Sequence, residues 1–160
     1  MTRLTRSPAP PLKETTVKRS MIVGTMLLGL SSSLAYGLVR RHVAWDGMVM
    51  GKNGSKIRGV IAMEAGKTVG TTSAVVKYAG DIAGAVRPWH VHVGSCAKGG
   101  AVLGAATAYT PLIVNTKGAA EGNSVLRLAL PDSGEYYVNI HESAANMGKI
   151  VACGDLLLAE

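Results

Sequence analysis

The apolar positions of this chain follow two rhythms. Residues 21–39 run for 19 residues without a charge, MIVGTMLLGLSSSLAYGLV. A helix of that length rises about 28 Å, close to the hydrocarbon thickness of a bilayer. Lys18 and Arg19 precede the run, and Arg40 and Arg41 follow it. This pattern predicts a transmembrane helix over 21–39. Beyond it, short β-rich runs alternate with Gly, Asn, Asp and Pro breaks. They predict strands near 44–50, 56–64, 71–78, 87–93, 111–115, 124–130, 135–142 and 150–158. No run after the span has helical periodicity. Seven or eight short strands at this spacing predict an all-β fold, an antiparallel sandwich or Greek-key barrel.

The chain therefore divides into a tail (1–20), a span (21–39) and a β domain (40–160). Pro8, Pro10 and Pro11 preclude a regular helix in the tail. A cleaved signal peptide, ending at Ser33-Leu34-Ala35, is the alternative to a retained anchor. The long Pro-rich lead and the length of the apolar run favour the anchor. Thr25, Gly29, Ser33 and Gly37 recur every four residues along the span. They form a small-residue stripe on which another helix packs closely, although small residues are frequent in any membrane helix.

Charge changes the picture once it is located. The formal net charge is +7, which by itself resembles a nucleic-acid signal. Residues 1–41 carry seven Lys/Arg against one Glu, whereas residues 42–160 carry ten Lys/Arg against nine Asp/Glu. The basicity brackets the apolar span and leaves the β domain nearly neutral. That is a membrane pattern, and it excludes nucleic acid as the expected partner. Charged residues at 17% against 48% hydrophobic also exclude a disordered, highly charged chain.

Two stretches carry chemistry. The first is Trp89-His90-Val91-His92-Val93-Gly94-Ser95-Cys96. On a strand, His90 and His92 share one face, and Trp89, Val91 and Val93 share the other. Two imidazoles on one face are able to chelate one metal ion. Taken alone, His-x-His reads sooner as two solvent-facing histidines than as a metal site. The second stretch is Tyr136-Tyr137-Val138-Asn139-Ile140-His141-Glu142, followed by Ala152-Cys153-Gly154-Asp155. Tyr137, Asn139 and His141 face one way, and Val138 and Ile140 the other.

In order and spacing, these stretches together resemble the copper/zinc superoxide dismutase family, over about residues 44–160. The segment Lys77-Tyr78-Ala79-Gly80-Asp81 with Pro88-Trp89-His90 is similar to that family's approach to its copper strand. The resemblance implies a Greek-key β-sandwich of the superoxide dismutase type. It implies His90, His92 and His141 as metal ligands, with copper as the cofactor. It also implies a Cys96–Cys153 disulfide, which requires an oxidising compartment. The β domain is then expected in the periplasm or outside the cell, with the N-terminus in the cytoplasm.

The departures are as specific as the matches. No His lies between His92 and His141, and no Asp or Glu between Asp81 and Glu121. The family's bridging His and its zinc ligands are therefore missing. Ile150, beside Lys149, stands where the family carries a substrate-guiding Arg. Met147 and Asn139 are the nearest substitute donors by sequence. His42, after Arg40-Arg41, reads as an interfacial residue. An incomplete catalytic set does not carry activity over from a fold, so no catalytic residue is assigned. The first expectation is a non-catalytic accessory or structural subunit of a membrane complex, photosynthetic or respiratory, touching other subunits and lipid. The alternatives are a copper-binding or antioxidant protein with a three-His site, and a secreted ligand-binding β domain. No nucleotide loop, hydrolase triad or paired catalytic carboxylates are present.

Overall fold

The computed structural model describes residues 44–159. The tail, the expected span with Thr25, Gly29, Ser33 and Gly37, and His42 lie outside the described residues. Among the described residues no helix is long and apolar enough to cross a membrane.

The described part is all-β. Its strands are β1 (Ala44–Gly51), β2 (Arg58–Ala65), β3 (Thr72–Ala79), β4 (Val86–Arg87), β5 (Trp89–Val93), β6 (Leu112–Ile113), β7 (Ala120–Leu126), β8 (Tyr136–Ser143) and β9 (Asn146–Leu158). Seven of them form one antiparallel sheet in the order β5-β8-β9-β1-β2-β3-β7, and β4 pairs with β6 in a small second sheet. The large sheet curls into a half-barrel. Alternation along each strand puts one row of side chains inside the curl. That row includes Trp45, Val49, Ile61, Met63, Val76, Trp89, Val91, Leu126, Val138 and Ile140, all buried. Removal of this apolar surface from water is the main drive to curl.

Three of the departures from the expected strand boundaries have a clear physical cause. The run at 87–93 is split at Pro88, which has no N–H to give to a ladder. The Pro88 carbonyl instead accepts from the His141 N–H, at 2.9 Å. The strand expected at 124–130 lies at Ala120–Leu126, where its pairing with β3 runs from Thr72↔Leu126 to Tyr78↔Ala120. Leu128 drops out of the ladder, and its carbonyl accepts from the Thr72 hydroxyl. The last strand starts at Asn146 and not at 150, because a tight hairpin pairs Ser143 with Asn146. Residues 146–149 have no apolar alternation, so only cross-strand pairing reveals them.

β5 is the edge strand that carries the His-x-His motif. The chain turns back after it, and residues 101–103 run along its free edge. The Val93 N–H donates to Ala101 O (2.9 Å) and the Leu103 N–H to Val91 O (2.8 Å). The returning segment thus satisfies backbone groups that an edge would expose. The Cys96–Cys153 disulfide, with Cα atoms 6.0 Å apart, ties the start of this loop to β9. The Cys96 N–H also donates to Asp155 Oδ1, at 2.7 Å.

Candidate metal centre

The face opposite the core gathers the three histidines. Trp89 and Val91 are fully buried inside the curl, so His90 and His92 lie on the other side of β5. Val93, expected on the core side, is 47% exposed at the strand's end. Pairing sets His90 opposite Asn139 and His92 opposite Tyr137. The β8–β9 ladder is irregular between Ile140 and His141 and again between His141 and Ser143. A bulge re-aims the side chain it carries, and His141 sits at this one. One ring nitrogen from each of His90, His92 and His141 lies within 4.8 Å of the others.

Backbone carbonyls set the tautomers of two rings. A carbonyl oxygen only accepts, so the ring nitrogen facing it carries the proton. His92 Nδ1–H donates to Gly100 O at 3.0 Å, and His141 Nδ1–H donates to Met147 O at 2.6 Å. Each ring is left with a lone pair on Nε2. The His141 Nε2 lone pair accepts from His90 Nδ1–H at 3.2 Å, so that proton lies on His90 Nδ1 and must shift to Nε2 of the same ring for an ion to bind there. His92 Nε2 is buried and has no hydrogen-bond partner. An orphaned lone pair in a buried position costs about 1–3 kcal/mol unless something binds it. Nitrogens bound to one ion at about 2.0 Å stand about 3.3–3.5 Å apart. The His90–His141 pair already has that spacing, and His92 lies a short movement away. The three residues therefore fit a metal ion, held by His90 Nδ1 and the Nε2 atoms of His92 and His141.

The electrostatics keep the three imidazoles uncharged. Burial, the largest cause, lowers the pKa of all three imidazoles below the ordinary 6.5. His90 falls to about 4, with the neighbouring His141 and His92 adding to the effect. The Gly100 and Met147 carbonyls oppose the fall at His92 and His141 without reversing it. All three rings are neutral at pH 7, the form that binds metal.

Surrounding groups fix the rings. The Tyr137 ring stacks on His92 at 4.9 Å between centroids, and Tyr109 meets His90 edge-on at 5.2 Å. Behind His141 lies a buried ion pair. Arg87 donates through Nε and Nη2 to both carboxylate oxygens of Asp81 (2.9 and 2.7 Å) and through Nη1 to Glu142 O (2.6 Å). Tyr78 donates its hydroxyl to the same carboxylate, at 3.1 Å. Burial pushes the Asp81 carboxyl up, but hydrogen bonds from Arg87 and the Ile82 N–H outweigh it and hold its pKa below 3.8. This network clamps the bulged end of β8 from the far side.

Sequence reasoning grouped the three histidines and missed what orients them. Gly99-Gly100 read only as a break. A Cβ at Gly100 would overlap the Val93 carbonyl oxygen, so the loop's close return requires glycine there. Arg87, a lone charge in the apolar run before the motif, was the available signal for the ion pair. Met147 acts through its backbone carbonyl, which no side-chain argument reveals. Asn139 lies on β8 as the register partner of His90.

No family model matches the chain, and no curated protein matches it with significance. The likeness to copper/zinc superoxide dismutases rests on the residues themselves.

Proposed function

We propose that this chain is a copper-binding protein with an extracytoplasmic β domain of the superoxide dismutase type, carried on one membrane span. The reading rests chiefly on one observation, the buried and unpartnered Nε2 of His92 beside the donor atoms of His90 and His141. A bound copper ion would supply one-electron redox capacity and an open coordination position. The protein's part is to present three neutral imidazoles with two of their tautomers set by carbonyls. The chain has no bridging His and no zinc ligands, and Ile150 replaces the cationic guide. These departures argue for holding the metal rather than for rapid dismutation. The test is a copper titration of the purified full chain in detergent. One equivalent should bind, and His141→Ala should abolish tight binding while the protein still unfolds cooperatively. Equal copper binding by the parent and by the variant lacking His90, His92 and His141 would refute the reading.

A second reading is favoured by the stripe Thr25, Gly29, Ser33 and Gly37. Here the span packs in a membrane complex, photosynthetic or respiratory, and the chain is a non-catalytic accessory subunit. Helix association in lipid relies on close van der Waals packing. Gly29→Leu with Ser33→Leu should then release the chain from co-purifying subunits. Retention of the double variant would dismiss the stripe.

A further inference from the structure

The histidine cluster has a property that the proposed copper binding alone does not require: its donor set suits one oxidation state. We infer that the site selects Cu(I) over Cu(II). The inference rests on the copper-binding reading above and adds a preference to it.

Donor count is the first observation. Among the described residues the cluster contains three imidazoles and no carboxylate or thiolate. Both cysteines are tied to each other in the disulfide. The nearest acids in sequence are engaged elsewhere. Glu142 accepts from Asn146 and Lys149, Glu135 accepts from Lys98, and Asp81 accepts from Arg87 and Tyr78. Cu(II) favours a tetragonal set of N and O donors. Cu(I), with a filled d shell, has no such demand and is content with three donors.

Burial is the second. His92 and His141 are 8% and 6% exposed. The cost of moving an ion from water to a low-dielectric site grows with the square of its charge, so a dication is penalised about four times as heavily as a monocation. With no anionic ligand to offset that penalty, the site favours the single charge.

Rigidity is the third. A planar set of four donors would need the imidazoles to swing apart around the open position. His92 is pinned by Gly100 O and stacked on Tyr137, and His141 is pinned by Met147 O at the clamped end of β8. Neither ring is free to swing aside and make a planar four-donor arrangement.

The experiment uses the full chain in detergent with copper alone as the probe. Cu(I) is held reduced by ascorbate and competed with a chromogenic Cu(I) chelator. Cu(II) is competed with glycine. Cu(I) should bind more tightly by at least about tenfold. X-ray absorption of the Cu(I) form should show three nitrogen donors, and His90→Gln should reduce them to two and weaken Cu(I) binding. Cu(II) binding as tightly as Cu(I), or more tightly, would overturn the inference while leaving the copper-binding reading in place. A fourth donor in the Cu(I) form would overturn the three-donor argument. Binding of neither ion would refute copper binding itself, and the preference with it.

Discussion

Removal of the disulfide should be felt in both the fold and the histidine cluster. Cys96 and Cys153 are separated by 57 residues. Cross-linking positions that far apart removes chain entropy from the unfolded state worth about 4 kcal/mol. Cys153→Ala, at a position buried between β8 and β1, should therefore lower stability by about that amount. Urea unfolding followed by tryptophan fluorescence reads this cleanly. The chain has two Trp, and both Trp45 and Trp89 are buried in the core of the β domain. With a slope of about 1–3 kcal/mol/M, the midpoint should fall by roughly 1.3–4 M. Cys96→Ala should have a similar effect, and the double variant should be little worse than either, because one bond is lost in each case. The loop that carries Gly100 would then lose its covalent tie to β9, so metal affinity should fall as well. A midpoint shift below about 0.3 M, or additive single effects, would refute the cross-link argument.

Three further outcomes are expected. Arg87→Met strands the buried Asp81 carboxylate and should cost about 3–5 kcal/mol, and adding Asp81→Asn should recover part of the loss in a double-mutant cycle by urea unfolding. The Asp81 pKa is lower in the folded chain than its ordinary 3.8. Its stabilisation is thus complete above that value and is lost as pH falls through the folded value. The acid limb of a stability–pH profile should be shallower in Asp81→Asn. Gly100→Ala should displace the carbonyl that orients His92 and weaken metal binding by about 10–100-fold, measured by chelator competition, with a smaller change in unfolding midpoint than Cys153→Ala.

The class of the fold was legible in the strands because apolar residues recur with period two between Gly and Pro breaks. Where a strand lacked that signal, pattern reading failed. Residues 146–149 belong to β9 only because the hairpin at Ser143 and Asn146 holds them. The strand at Ala120–Leu126 was misplaced by four residues because its register is decided by β3, not by its own sequence. At the site, the spacing of His90 and His92 was enough to put them on one face. That His141 joins them was an inference from family likeness until β5 and β8 were seen paired.

The sequence by itself determined which residues are able to bind metal, which cysteines exist to pair, and that the charge flanks an apolar run. Those are properties of residue type and local spacing. Only the tertiary structure decided which ring nitrogen is free. Tautomer and orientation depend on backbone carbonyls at Gly100 and Met147, which every residue possesses and no sequence pattern marks. It also decided that Arg87 and Asp81, six positions apart, share a buried fork that reaches Glu142 on β8. A carbonyl acquires a chemical role only from what the fold brings within 3 Å of it, and that proximity is created by strand pairing across the whole domain.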